Sequence, residues 1–89
     1  MLDIKHLERI LKALANRRRL AILQFLKKEK EANVSDIAEA INLSFRATSK
    51  HLGILAAADL VEREQRGLQM WYKIMPKIYT IARSIIFIL

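Results

Sequence analysis

Apolar residues recur at intervals of three and four from the start of the chain to about residue 58, which is the spacing of one helix face. Short polar residues precede four such runs, where their side chains can accept hydrogen bonds from free backbone N–H groups. The four predicted helix starts are Asp3, Asn16, Ser35 and Ser44. Residues 30–33 interrupt the pattern before the third helix. Asn42 and Leu43 form a short turn before the fourth helix, which runs to about Ala58.

After residue 59 the apolar pattern changes from helical spacing to alternation, which favours β-strands. Strands are predicted over residues 60–65 and 68–74, joined by a turn at Arg66 and Gly67. Pro76 is the predicted start of a last helix, because proline fits the first helical turn. The order α-α-α-α-β-β-α is that of a winged helix-turn-helix, a mainly α fold with a β-hairpin wing. The predicted parts of this single domain over residues 1–89 are the helix-turn-helix at about 35–58, the wing at about 60–74 and the C-terminal helix at about 76–89.

The chain has 89 residues, with 16 Lys and Arg against 9 Asp and Glu, and a formal net charge of +7. This length supports one domain, and the excess of positive charge favours nucleic acid as a partner over an anionic membrane surface. The lack of cysteine excludes a disulfide-stapled scaffold and thiolate chemistry. The sequence has no nucleophile–base pair, carboxylate cluster, phosphate-binding glycine loop or metal-ligand spacing. We therefore expect neither an enzyme nor a cofactor or metal site.

Neither end of the chain predicts export or membrane insertion. The first ten residues mix charged and apolar side chains, which is not the pattern of a secretory signal. The most apolar segment, residues 78–89, is interrupted by Arg83 and is shorter than the roughly 20 residues that span a bilayer. A cytoplasmic protein is the simplest expectation.

The fourth helix has two chemically different sides when successive residues are placed about 100° apart. The side expected to face the core holds Thr48, His51, Leu52 and Leu55. The opposite side holds Arg46, Ser49, Lys50 and Gly53. No acidic residue occurs between Ser44 and Ala58, as expected for a helix in the major groove of DNA, where phosphates repel carboxylates. A merely solvated face is the alternative. Phe45, at the edge between the sides, either packs on the core, which we favour, or contacts a thymine methyl.

Basic and polar side chains outside this helix extend the predicted DNA-contacting set. Arg17 and Arg18 are candidate phosphate contacts at the start of the second helix. Glu62 and Glu64 alternate with basic residues of the wing, which confines the prediction there to the tip. For Arg63, a cross-strand ion pair is the alternative. The complete set is Ser44, Arg46, Ala47, Ser49, Lys50, Arg63, Gln65, Arg66, Arg17 and Arg18.

The last predicted helix is apolar around most of its circumference, and such a helix must be buried. One small protomer offers it a single core, so burial of its second face against another copy of the chain is the economical solution. The first helix adds further apolar surface. The predicted dimer interface is Leu2, Ile4, Ile78, Ile81, Ala82, Ile85, Ile86 and Leu89. Trp71 either joins this interface or is a partly exposed wing residue.

Three segments of the chain match a known pattern. They are LANRRRLAIL over residues 14–23, VSDIA over residues 34–38, and residues 43–61, of which the stretch from Ser-Lys-His-Leu at 49–52 to Leu-Val at 60–61 is the most specific part. Together they resemble the ArsR-type (arsenical-repressor-like) family of winged helix-turn-helix regulators. The resemblance covers nearly the whole chain. It implies a homodimeric transcriptional repressor that binds a two-fold symmetric operator in double-stranded DNA.

The chain departs from the metal sensors that are the best-known members of this family. Those sensors bind metals through cysteines beside the helix-turn-helix, or through His and acidic ligands on the last helix. Here residues 31–36 hold no cysteine and the last helix has no His, Asp or Glu, so both sets of metal ligands are missing. His51 falls on the family's usual histidine of the fourth helix, a position that packs or hydrogen-bonds. The sequence identifies no small-molecule effector. The alternative functions are a winged-helix module that binds protein, and a membrane-surface-associated regulator that uses the apolar C-terminal helix.

Overall fold

The computed structural model describes residues 3–89, which form five helices and three strands. The elements are α1 (Ile4–Leu14), α2 (Arg17–Glu29), β1 (Glu31–Asn33), α3 (Val34–Ile41), α4 (Phe45–Ala57), β2 (Val61–Arg66), β3 (Gln69–Ile74) and α5 (Thr80–Phe87). Helices α3 and α4 form the helix-turn-helix, and β2 and β3 form the hairpin wing that follows it. The predicted winged helix-turn-helix fold is therefore confirmed, with one added strand.

Three of the four predicted helix caps are present. The side chain of Asp3 accepts a hydrogen bond from the backbone N–H of His6 at 2.7 Å, and Asn16 Oδ1 accepts one from Arg18 at 2.9 Å. Ser44 Oγ accepts from the N–H of Ala47 at 3.1 Å. The prediction for the third helix was wrong, because Asn33 rather than Ser35 supplies its cap. Satisfying a free N–H group at each start stabilises a helix by about 1 kcal/mol.

The sheet contains a strand that the sequence pattern does not show. β1 pairs antiparallel with β3, so the strand order is β1-β3-β2. A strand of three residues is too short for alternation to be visible, and its pairing with β3 alone defines it. The strands of the hairpin each begin one residue later than predicted, and Gly67 adopts φ 61° in the turn between them. Glycine reaches this conformation without the steric cost that a Cβ imposes.

The last helix begins later than predicted, at Thr80 rather than at Pro76. The chain first has to cross from the end of the wing to the face of α2, and it does so in a non-helical segment. Met75 donates its N–H to the carbonyl of Leu60 at 3.0 Å, and Ile78 packs against the core. These contacts hold the segment, which bends at residues 76 and 77, in a non-helical conformation as far as Tyr79, the residue before the helix.

A single apolar core joins the helices to the inner face of the sheet. Its largest fully buried apolar side chains are Ile10, Ile22, Leu23, Leu26, Ile37, Leu52, Leu55, Leu60 and Val61. Removing these side chains from water is the main favourable term for this arrangement. The first turn of α4 and the tip of the wing stay outside the core and project into solvent. None of the described helices has the length and apolarity to cross a membrane.

Lys30, between α2 and β1, has φ 77° and ψ −48°, a backbone conformation that strains a residue with a side chain. We expect Lys30→Gly to raise the free energy of unfolding by about 1 kcal/mol, because glycine adopts this conformation without strain. Urea denaturation measures the change. Asn42→Gly is the control: Asn42, at φ 55°, already tolerates the left-handed region, and less than about half of this gain is expected. Equal gains would contradict the assignment of strain to Lys30.

Candidate nucleic-acid interface

A tight turn fixes the angle between α3 and α4. Asn42 ends α3 in the left-handed conformation, and its N–H donates to the carbonyl of Glu39 at 3.2 Å. The N–H of Leu43 donates to the carbonyl of Ala38 at 3.0 Å. Ser44 then caps α4, so only three residues separate the two helices. This is the connection that a helix-turn-helix uses to present its second helix.

The two sides of α4 are separated as the wheel predicts. Thr48, Leu52 and Leu55 are fully buried on the inner side. Arg46, Lys50 and Gly53 are exposed on the outer side, whereas Ser49 and Ala47 are half-buried. Neither Arg46 nor Lys50 forms an ion pair within residues 3–89. The outer side therefore presents two uncompensated cations to solvent.

Phe45 lies outside the core, so the interpretation that we favoured from the sequence was wrong. Its side chain is 59% exposed and is not among the apolar groups that pack against the core. The physical reason is its position at the first residue of α4, where the helix extends beyond the layer of buried side chains. A wheel projection reports the angle around a helix axis and does not report this distance along it.

The three consecutive arginines at the start of α2 divide into two groups. Arg17 and Arg18 are exposed and have no ion-pair partner among the described residues. Arg19 instead closes the end of α1: its Nε donates to the carbonyl of Ala13 at 2.6 Å and a terminal nitrogen donates to the carbonyl of Lys12 at 3.0 Å. Arg19 therefore holds α1 against α2, and Arg17 and Arg18 remain available.

His51 connects α4 to this arginine. Its Nδ1 lies 3.2 Å from a terminal nitrogen of Arg19, so the neutral imidazole accepts the hydrogen bond. Burial lowers the pKa of His51, and the nearby positive charges of Arg19, Arg18 and Lys50 lower it further. The expectation that this histidine hydrogen-bonds is confirmed.

The lowered pKa of His51 predicts a pH dependence of stability. Below about pH 6.5 the unfolded chain takes up a proton that the folded chain resists, so the free energy of unfolding should fall as the pH decreases through this region. His51→Asn keeps an acceptor near the position of Nδ1 for Arg19 and removes the titration. Its urea midpoint is expected to change less between pH 7.5 and pH 5.5 than that of the wild type. Identical changes in both proteins would exclude His51 as the cause.

At the wing, Arg66 is held by two carboxylates. Its terminal nitrogens donate to both oxygens of Glu31 at 2.8 and 3.0 Å, and its Nε donates to Glu64 at 2.7 Å. Its guanidinium also lies over the ring of Trp71, 4.8 Å from the centroid. The hydrogen bonds from Arg66 lower the pKa of Glu31. Arg66 therefore joins the wing to β1 and covers part of the half-buried Trp71 ring.

The other predicted wing residues are placed differently. Arg63 is exposed and lies opposite Tyr72 in the hairpin register. Within residues 3–89 it forms no ion pair, and the cross-strand pair is instead Lys73 with Glu62 at 3.1 Å. Gln65 donates to the carbonyl of Gly67 at 2.8 Å, which stabilises the turn. Leu68, which the sequence pattern did not mark as a functional residue, has a fully exposed side chain at the tip.

The predicted dimer surface divides into exposed and buried residues. Ile4 and Ile81 are exposed, and so are three apolar residues outside the predicted interface set: Leu11, Phe87 and Ile88. The two predicted residues already inside the protomer's own core are Ala82 and Ile86. They have almost no surface left for a partner, because α5 packs that side against α2. The three that are half-buried against the core are Ile78, Ile85 and Leu89. Leu2 lies outside the described residues.

Comparison with solved structures finds close relatives of this fold. The chain is 30% identical to HlyU from Vibrio cholerae, covering 94% of this chain and 87% of that one, with a TM-score of 0.79. It is 33% identical to the homodimeric winged helix-turn-helix DNA-binding domain of a possible ArsR-family transcriptional regulator from Mycobacterium bovis, covering 96% and 76% of the two chains (TM-score 0.82). It is 27% identical to the transcriptional repressor PagR of Bacillus anthracis, covering 96% and 93% (TM-score 0.77).

A family model described as a helix-turn-helix domain matches residues 14–64, which is more than half of the chain. No sequence among curated proteins gives a significant match. The matched range contains α2, β1, α3 and α4 and the first four residues of β2, so it includes the whole helix-turn-helix. The chain therefore belongs to the helix-turn-helix domain family and, within it, to the ArsR-type winged helix-turn-helix transcriptional regulators.

Proposed function

We propose that this chain is a sequence-specific DNA-binding repressor that acts as a homodimer on a two-fold symmetric operator. The observation that carries the proposal is the outer side of α4, which is exposed, basic and free of acidic residues from Ser44 to Ala58. In a helix-turn-helix the second helix enters the major groove with its N-terminal part against the base edges. Arg46 and Lys50 occupy that part of α4, with Ser44, Ala47 and Ser49 beside them.

Gly53 supports a close approach of the duplex to α4. A glycine inside a helix costs about 1 kcal/mol relative to alanine. Beyond its own helix, a Cβ at this position would meet no atom of residues 3–89 within 4 Å, so packing among the described residues does not require the glycine. A helix whose outer side omits a side chain next to two cations can lie closer to a phosphate backbone.

We propose auxiliary contacts from Arg17 and Arg18 to phosphates, because both are exposed and their charges are not compensated within the described part of the chain. In the wing, Arg63 is the cation best placed to add a contact. Gln65 and Arg66 lie at the tip, but three of the five N–H groups of Arg66 already donate to Glu31 and Glu64, whose negative charges oppose a phosphate there. The wing therefore contributes less than α4.

We propose that the dimer forms through α1 and α5. Both helices keep large apolar side chains exposed, and the Mycobacterium bovis relative is homodimeric. Two-fold symmetry would place the two α4 helices in successive major grooves, roughly 34–36 Å apart. We further propose that the protein acts in the cytoplasm, where its operator is, and that it has no catalytic role of its own.

The test is selection of binding sites from a random duplex library, followed by gel-shift titration of the selected site. We expect an enriched sequence with two-fold symmetry. If about eight phosphates are contacted, log K against log salt concentration should have a slope near −7. Equal affinity for random and enriched duplexes at moderate salt would contradict the proposal, since a basic surface without sequence preference binds any duplex equally well.

A further inference from the structure

Phe45 is an exposed aromatic side chain in an otherwise polar and basic setting. It lies between the cap Ser44 and Arg46, and one helical turn before Ser49. The core of the protomer does not use it, and among residues 3–89 it has no aromatic or cation–π partner. Keeping a phenylalanine in water forgoes the stabilisation that its burial would supply. Folding of the protomer therefore does not explain this residue.

The position of Phe45 indicates what covers it. The first residues of the second helix in a helix-turn-helix are the ones that reach base edges. The major groove offers one apolar group to such a side chain, the C5-methyl of thymine. The cations at Arg46 and Lys50 on the same helix favour the duplex that carries this methyl group, and no acidic residue of α4 opposes it.

We propose that Phe45 is a specificity-determining residue that packs against the methyl group of a thymine in each half of the operator. This inference rests on the proposed function and adds the chemical group that the protein recognises, the C5-methyl of thymine. It assigns one base preference per half-site to an apolar contact, whereas Arg46 and Lys50 act through charge and hydrogen bonds. Two-fold symmetry places the two thymines at equivalent positions in the two half-sites.

Replacement of thymine by deoxyuridine tests the proposal, because it removes the methyl group and leaves the base pairing and all hydrogen-bonding groups unchanged. Each thymine of the selected site is replaced in turn, and affinities are measured for the wild type and for Phe45→Ala. For the wild type we expect one thymine position in each half-site to respond. Its replacement in a single half-site should weaken binding about fourfold, and its replacement in both half-sites about fifteenfold, as for the loss of one or two buried carbons. For Phe45→Ala we expect the same replacements to change affinity less than about 1.5-fold.

Ile54→Ala provides the matched control. Ile54 is also an exposed apolar residue of α4, but it lies nine residues further along the helix, away from the first turn. This variant should keep the wild-type response to deoxyuridine. Thermal melting, monitored by circular dichroism, verifies that both variants are folded. Folding is expected because both side chains are exposed.

The outcomes separate this inference from the proposed function. If the wild type selects a specific site but binds all deoxyuridine duplexes equally, the assignment of Phe45 is wrong and the proposed function stands. An equal response of wild type and Phe45→Ala would also overturn it, because the methyl contact would then belong to another residue. If the wild type selects no site, both fail.

Discussion

Lys50→Glu is expected to lower the affinity for the selected operator by about a hundredfold or more. Lys50 is exposed on the outer side of α4 and has no carboxylate partner among the described residues. The substitution removes a contact worth about 1–3 kcal/mol and places a negative charge where the groove is lined by phosphates, once in each protomer. Gel-shift titration at a single salt concentration measures the loss. The salt slope should also decrease in magnitude by about 2, one for each lost cation.

Lys28→Glu is the matched control for this prediction. It makes the same change of net charge, but Lys28 lies in the last turn of α2, outside the proposed interface. Its expected effect on affinity is less than about fivefold, as for a distant surface charge that is screened by salt. Equal losses in the two variants would show that binding follows net charge alone, and the assignment of α4 as the recognition helix would then be wrong.

The positions of the cations explain why net charge is a poor guide to the interface. Arg19 is bonded to carbonyl groups at the end of α1, and Arg66 to Glu31 and Glu64. Both arginines therefore stabilise the protomer. The cations left for a ligand on α4 are Arg46 and Lys50, and the amino-acid sequence marks them only by the missing acidic residues around them.

The elements that the sequence predicted well are those defined by local patterns. The caps Asp3, Asn16 and Ser44 bond to backbone groups two or three residues away, so their role is visible in a short window of sequence. The inner side of α4 was equally visible, because Thr48 and Leu52 follow the helical period. Local hydrogen bonds and periodicity are fixed before any distant residue is known.

The features that the sequence did not predict depend on distant contacts. Strand β1 exists because β3 lies beside it, and the bond from Arg66 to Glu31 joins residues 35 positions apart. The late start of α5 follows from the crossing of residues 75–79 to α2. Phe45 was misplaced for a similar reason, since its exposure depends on where the core ends and not on the period of its helix.

Ile4→Glu is expected to convert the dimer to a monomer and to lower operator affinity by about a hundredfold or more, because two linked half-site contacts become independent. Ile4 is 85% exposed in the protomer, so its replacement removes little internal packing. It is also the first residue of α1, where a negative charge interacts favourably with the helix dipole. The protomer should therefore remain folded, while the proposed dimer interface of α1 and α5 is disrupted. Light scattering should report about 10.3 kDa instead of twice that mass.

Leu68→Glu separates this effect from a general effect of adding charge. Leu68 is also a fully exposed apolar residue, but it lies at the tip of the wing, away from α1 and α5. This variant should keep the wild-type mass. If Ile4→Glu also remains a dimer with an unchanged dissociation constant, then α1 does not form the interface. The exposed side chains of α5 alone would have to hold the dimer, and Phe87→Glu would then be the variant that dissociates it.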